Sequence, residues 1–437
     1  MVLILDTLRL DFECLCSEHG VPHLESLSLL RGLGSPLPGL KCGSFPTVPM
    51  RTDLLTGKLA FLSRRWATPE EDEPVLTSHL ASFGVHSCLV TDNYMMVEPQ
   101  LGGVFAKYFD ETIRIRGTGS DPWQEPIPGL QDAQKELPGF SPVRIAQYVA
   151  NTRAWARCGG PPWQRLFASA KEVLVREMHR ERGKFLLWVD SFATHEPWYV
   201  PPSTDMSRED MQLIAPIYGD AKSCSVSTLM DMRRTYALRV RDVDAAMCEF
   251  SDALAGGVQR GDVALVLLSD HGFYFGEFGL IGKPVWEPVL PPLHELVGVV
   301  SEQLTGRLPA APLQPHRIAA AIAHALGGPE ASAPFEAAET QGYPQVVGRN
   351  SPNVGTILFA FPNGFLLGFR DSQWESPLWF DSAGLDDAVP WREQGTRSLP
   401  NGVLSLVRGR SSFCCSPWAG EFHLLRQYLG GAAHGEN

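Results

Sequence analysis

The sequence predicts an α/β protein built on a largely parallel central sheet flanked by helices, with a small antiparallel α+β subdomain at its C-terminal end. Three observations predict it. Short apolar runs recur and stop at aspartate: residues 2–5 before Asp6, 86–91 before Asp92, 184–189 before Asp190 and 263–269 before Asp270. Segments with apolar residues three or four apart lie between them. After about residue 330 the chain turns rich in Ala, Pro and Glu, then shows short apolar runs punctuated by turn residues.

Each element has a physical basis. Continuous runs of Val, Leu and aromatics suit strands buried on both faces of a parallel sheet. From Leu229 the residues Met232, Tyr236, Val240, Val243, Met247, Phe250 and Leu254 form one helical face, which Gly256-Gly257 is expected to close. Ser141-Pro142 reads as an N-cap and first helical position. Trp163, Leu166, Phe167, Ala170, Leu174 and Met178 trace a further amphipathic helix. Residues 117–139, rich in Pro and Gly, read as a surface excursion near the site. Asn363-Gly364 between two apolar runs signals a hairpin, and a closing helix is expected near 421–429. The division is a main α/β domain over 1–330, with the excursion and its helices at 117–183, and a smaller subdomain over 331–437.

Composition narrows the function. A length of 437 residues allows one large domain with a sizeable core plus a smaller one. A net charge of −12 argues against a nucleic-acid partner, while local Arg and Lys still admit a small anionic substrate. The nine cysteines are odd in number and lack zinc-finger spacing, which fits a reducing compartment. The sequence shows no charged segment followed by an apolar one at its start, and no run of 18 apolar residues. The expectation is a cytoplasmic protein without a membrane partner; homo-oligomerisation stays open.

The chemistry concentrates in four segments. Phe45-Pro-Thr47-Val-Pro-Met-Arg51, continuing to Gly57-Lys58, pairs a hydroxyl with a cation four residues on, and Leu54-Leu55 suggests a helix beginning near Arg51. A hydroxyl at a helix N-terminus beside a guanidinium can hold and attack an oxyanion ester. The other three are Asp6-Thr-Leu-Arg-Leu-Asp11, then Asp190 through His195-Glu-Pro-Trp198, then Ser269-Asp270-His271-Gly272 with Gly276-Glu277 and Lys283. Asp6, Asp270 and His271 at strand ends are O and N donors suited to a divalent cation. Gly272 is expected to permit the turn that fans Asp270 and His271 out.

In this order the segments resemble the sulfatase branch of the alkaline phosphatase superfamily. The resemblance implies an alkaline-phosphatase-like fold and an ester hydrolase with a catalytic domain over 1–330. It makes Asp6, Asp270, His271 and Thr47 ligands of one divalent metal ion (Mn, Zn or Ca), a second metal being the lesser expectation with Asp190 and His195 as its candidates. It makes Thr47 the nucleophile, with Arg51, His195 and Lys283 as catalytic partners. Lys58, Asp92, Asn93, Arg116 and Trp123 are the substrate-binding candidates, with Arg114 and Asp121 nearby. The chain departs from the pattern in two ways. Sulfatases carry a Cys or Ser, converted to formylglycine, where Thr47 stands, and many have Lys and His where this chain has Asn93 to Met96. Threonine cannot be converted in that way, so the expected substrate shifts toward a phosphoester. The alternatives are an arylsulfatase-type sulfuric ester hydrolase and a non-catalytic or transferase descendant of the fold.

Overall fold

The apolar runs become neighbouring strands of one sheet. The computed structural model describes residues 1–336 except 22, 61–67, 71–72, 99–103, 129, 131–140, 181–182, 285–288 and 309–312. Beyond these it describes the backbone of 348–349, 357–361, 364–368 and 378–381. Seven strands form the main sheet in the order Ser35–Pro36, Gly298–Val300, Val266–Ser269, Val2–Leu5, Lys184–Ser191, Val85–Thr91 and Glu111–Arg114. The five from Val266–Ser269 to Glu111–Arg114 run parallel. Gly298–Val300 pairs antiparallel with Val266–Ser269, and Ser35–Pro36 antiparallel with Gly298–Val300. These two strands, of two and three residues, are too short to be read from periodicity.

Burial on both faces explains why the runs are continuously apolar. Leu3, Leu5, Val90, Leu187, Val189, Leu265 and Leu267 join one core with the helices Phe12–Glu18, Glu25–Gly32, Pro142–Trp155, Pro162–Met178 and Val226–Ala246. Val2, Ile4, Leu89, Leu186, Trp188, Val266 and Leu268 join the opposite core with the helices Thr47–Thr56, Leu76–Ala81 and Pro315–Gly327. Successive side chains alternate between the layers, as the two-residue strand period demands.

Several boundaries differ from the sequence reading. The helix expected near Arg51 begins at Thr47, because Pro49 lies in the first turn, where its missing N–H costs nothing. The helical face read from Leu229 is shared by two helices, Val226–Ala246 and Cys248–Gln259, which meet at Met247. Met247, Phe250 and Leu254 still enter the same core, so the apolar stripe crosses a break that periodicity does not register. Gly256 and Gly257 sit inside the second helix rather than closing it. A Cβ on Gly257 would lie 2.8 Å from both Met178 Sδ and Val263 Cγ2, and the reversal comes at Gly261 with φ +80. Ser141 stands at the expected N-cap, but its side chain makes no capping hydrogen bond.

A separate antiparallel sheet joins Ile357–Phe361, Gly364–Gly368 and Leu378–Asp381. Gly364, expected in the turn, opens a strand there and pairs with Phe361. Residues 362 and 363, and the closing helix expected near 421–429, lie outside the described residues. Among the described residues no helix is long and apolar enough to cross a membrane.

The two-sided sheet has a direct test. Leu3→Ala and Ile4→Ala, on opposite faces, are each expected to cost about 2–5 kcal/mol in urea unfolding. A sheet covered on one face would show that loss at only one of them.

Candidate active site

Parallel strands deliver their side chains to one edge, and the register brings the four aspartates together there. Leu5 is level with Ser191 and Ser269, and Thr91 is level with Asp190. Asp6, Asp190 and Asp270 are fully buried, and the chain answers them with one equally buried guanidinium, Arg51. Its Nε and Nη2 donate to the two carboxylate oxygens of Asp190 at 2.9 and 3.0 Å. Nη2 is 3.1 Å from Asp6 Oδ2, and Nη1 donates to Asp270. Nη1 also lies 3.2 Å from the carbonyl of Thr47, one helical turn back. The i to i+4 spacing of Thr47 and Arg51 therefore places both at the sheet edge.

Thr47 opens the helix, and its Oγ1 is 3.1 Å from His271 Nε2. His271 Nδ1 donates to the Gly272 carbonyl at 3.0 Å, which leaves Nε2 with its lone pair toward Thr47 and the carboxylates. Burial holds this imidazole neutral, down to about 4. Gly272 is needed for space rather than for an unusual backbone angle, a correction to the expected reason. A Cβ there would lie 1.9 Å from the Pro292 carbonyl oxygen. Thr7 carries the strain instead: at φ 62, its N–H donates to Asp270 at 2.8 Å and its hydroxyl to Asp6 at 2.8 Å.

Ligand atoms of Asp6, Asp270 and His271 all lie within 4.8 Å of one another. Burial and the neighbouring Asp270 push the Asp6 carboxyl well above its ordinary range. Burial also opposes ionisation of Asp270, but Arg51 overrides it and holds that carboxyl low. Three buried carboxylates facing one guanidinium and a neutral imidazole are two positive charges short when fully ionised, a deficit that a divalent cation fits. The oxygen and imidazole donors present match such an ion.

A second group faces the first. The ring centroids of His195 and His271 are 6.4 Å apart. His195 stacks on Phe192 at 3.9 Å, and its Nδ1 donates to the Glu196 carbonyl at 2.6 Å. Its Nε2 accepts from Lys283 Nζ at 2.7 Å. Burial, then the Lys283 charge, hold His195 well below its ordinary value. The Glu196 carboxylate lies 3.1 Å from Lys283 Nζ and accepts the Tyr218 hydroxyl.

The remaining candidates separate. Asn93 belongs to the cluster, with Nδ2 at 3.2 Å from Asp190 and 3.5 Å from Asp6. Asp92 braces two strand ends by accepting the Phe192 N–H at 2.6 Å, and burial pushes its carboxyl up to about 7. Lys58 is exposed and pairs with Glu73. Arg114 and Arg116 are engaged by Asp121, and Trp123 packs beside Gly117 under the Arg165 guanidinium. These residues hold the excursion together, and the structure does not bring them to the metal-type cluster. Asp190 is engaged by Arg51 and Asn93, and His195 by Lys283; no second group with metal-ligand spacing occurs among the described residues.

Sequence reasoning assigned no role to four residues. Glu196 was legible as a carboxylate next to His195. Tyr218 and Arg144 carried no local signal. Arg9 joins the loops behind the cluster: its Nη1 donates to Glu277 at 2.8 Å and to the Phe273 carbonyl at 2.9 Å.

A buried hydroxyl at a helix start, a guanidinium, carboxylates and an imidazole at the carboxyl edge of a parallel sheet belong to an ester hydrolase of alkaline-phosphatase-like fold. The sulfatase family model matches residues 2–330, and the chain belongs to that family. Similar solved structures include two phosphonate monoester hydrolases. The Silicibacter pomeroyi enzyme is 15% identical, with a TM-score of 0.58 over 99% of this chain and 95% of that one. The Agrobacterium radiobacter enzyme is 15% identical, with a TM-score of 0.59 over 99% and 94%. A Bacteroides thetaiotaomicron sulfatase, solved in work on glycosaminoglycan metabolism, is 12% identical with a TM-score of 0.56 over 98% and 99%. No curated protein matches the chain.

Asp92 supplies a pH prediction. Its folded-state value, raised from 3.8 to about 7, means that the native state binds the extra proton between those values. Wild-type stability therefore falls as pH rises through that window, by up to about 4 kcal/mol. Asp92→Asn, which keeps an acceptor for the Phe192 N–H, is expected to remove this component. Urea unfolding at pH 4, 5.5 and 8 checks it, and identical pH slopes for the two proteins would contradict the assignment.

Proposed function

We propose that this chain is a metal-dependent hydrolase of anionic esters that uses Thr47 as its nucleophile and favours phosphorus monoesters over sulfate esters. One observation carries the reading: the Thr47 hydroxyl, at a helix start, lies 3.1 Å from His271 Nε2 beside the Asp6, Asp270 and His271 group. In this reading Asp6, Asp270, His271 and Thr47 hold one divalent cation. Such an ion, when bound, polarises an ester oxygen and lowers the pKa of a bound hydroxyl. The likeness to phosphonate monoester hydrolases supports phosphonate monoesters among the substrates. The same reading assigns catalysis to 1–330 and leaves 331–437 as a smaller subdomain.

The chain's own groups divide the work. Thr47 Oγ1 attacks phosphorus in line, forming an O–P bond as the ester P–O bond breaks. Its proton is lost to solvent, because in this reading the single lone pair of His271, at Nε2, is committed to the cation. Arg51, whose donors are taken by Asp190, Asp6, Asp270 and the Thr47 carbonyl, keeps the carboxylates and the nucleophile in place. The leaving oxygen takes a proton from Lys283 Nζ, which His195 Nε2 orients from 2.7 Å. Water then cleaves the O–P bond to Thr47, releasing phosphate or phosphonate and restoring the hydroxyl.

Family membership favours a second reading, a sulfuric ester hydrolase. Against it stands the chemistry of the nucleophile. A formylglycine hydrate expels sulfate through its second hydroxyl, an exit closed to threonine.

Two measurements test the proposal. Purified protein with Mn²⁺, Zn²⁺ or Ca²⁺ is expected to turn over aryl phosphonate and phosphate monoesters faster than aryl sulfate. Thr47→Ala should lower that kcat by about 10³-fold or more, and faster sulfate turnover would reverse the substrate ranking. Metal binding in weakly buffered solution should release fewer protons from Asp6→Asn than from wild type, and be weaker, because burial and Asp270 push the Asp6 carboxyl upward. Equal release together with equal metal affinity would remove Asp6 from the ligand set.

A further inference from the structure

The Lys283–His195 pair has a second neighbour besides the cluster. A cavity of ≈ 120 Å³ is lined by Tyr94, Ser120, Arg144, Tyr148, Glu196 and Tyr218, with Pro197 and the turn at Ile214 to Pro216 behind them. Glu196 is the shared wall, because its carboxylate contacts Lys283 Nζ at 3.1 and 3.3 Å. We propose that this cavity is the leaving-group subsite, and that Arg144 on its rim selects esters whose leaving group carries a second acidic substituent, a carboxylate, sulfate or phosphate. The proposal rests on the hydrolase reading above for the direction in which the leaving group departs.

Three observations carry it. The first is position: an oxygen that departs toward Lys283 Nζ has its carbon skeleton near Glu196, which contacts Lys283 and, with Tyr218, lines the cavity. The second is shape. An apolar cavity of about 150 Å³ holds a benzene ring, so one six-membered ring is the right scale, and three tyrosines offer flat walls.

The third is charge. Glu196 is already matched by Lys283 and by the Tyr218 hydroxyl. Arg144 is exposed on the cavity rim beside Tyr94, Tyr218 and Glu196, and makes no ion pair within 4.0 Å among the described residues. Its guanidinium is therefore open to an anionic substituent that enters the cavity. A guanidinium presents parallel donors that suit a carboxylate or another oxyanion. Tyr94 and Ser120, whose hydroxyls are 3.0 Å apart, add polar atoms to the same wall. Arg144 sits in the first turn of the Pro142–Trp155 helix, where the helix field also favours an anion.

The experiment compares phenyl and 4-carboxyphenyl phosphonate monoesters in wild type, Arg144→Ala and Val143→Ala, the last an exposed neighbour on the same helix. The kcat/KM ratio of carboxylated to plain ester is expected to fall about tenfold in Arg144→Ala and to hold in Val143→Ala. Calorimetric binding of 4-hydroxybenzoate should weaken by a similar factor in Arg144→Ala, and that of phenol by much less. An unchanged ratio with unchanged 4-hydroxybenzoate binding overturns the subsite while leaving the hydrolase reading in place. No turnover of any ester, with Arg144-dependent binding of 4-hydroxybenzoate, overturns the hydrolase reading and supports the subsite. Absence of both overturns both.

Discussion

A guanidinium sealed from solvent between carboxylates holds the reaction centre together. Burying Arg51 alone would cost far more than a domain's net stability tolerates, and so would burying Asp6, Asp190 or Asp270 alone. Each is admissible only because the others are present. The fork geometry matters as much as the charge: Nε and Nη2 grip both oxygens of Asp190 while Nη1 reaches Asp270, which a single ammonium cannot do. The helix that begins at Thr47 is thereby docked against three strand ends at once, and the hydroxyl inherits its position from that docking.

The sheet makes the arrangement possible. The central strands Val2–Leu5 and Val266–Ser269, buried on both faces, are apolar up to their carboxyl ends, where polarity gathers. At this edge of the sheet, four aspartates take three tasks. Asp6 and Asp270 face His271, Asp190 anchors Arg51, and Asp92 ties the Phe192 backbone. Thr7 in the left-handed region and the Arg9 contacts to Phe273 and Glu277 show that the loops behind the cluster are held by further polar bonds. In the proposed mechanism this rigidity matters, since donors aimed in advance at developing charge need no reorganisation during the reaction.

The second layer of the site, from His195 through Lys283 and Glu196 to Tyr218, joins the reaction centre to a cavity. The carboxylate of Glu196 both compensates the Lys283 ammonium and forms part of the cavity wall. A substituent bound in the cavity and a proton held at Lys283 are therefore electrostatic neighbours, which links recognition of the leaving group to its departure in the proposed mechanism.

What the sequence determined by itself was local and ordered. Apolar runs ending in aspartate specified a two-sided parallel sheet, because strand burial leaves a continuous hydrophobic signal. The motifs around Asp6, Thr47, His195 and Asp270 named the residues that the structure gathers. Helix limits were less legible, since Met247 interrupts a helix without interrupting its apolar face. The tertiary structure decided the partners. That Asp190 holds Arg51, that Arg116 and Trp123 brace the excursion, and that Tyr218 meets Glu196 follow from contacts between segments far apart in the chain. Hydrophobic periodicity records which face of an element is buried. It carries no information on which distant charge will stand opposite a given side chain, because that depends on how the layers pack.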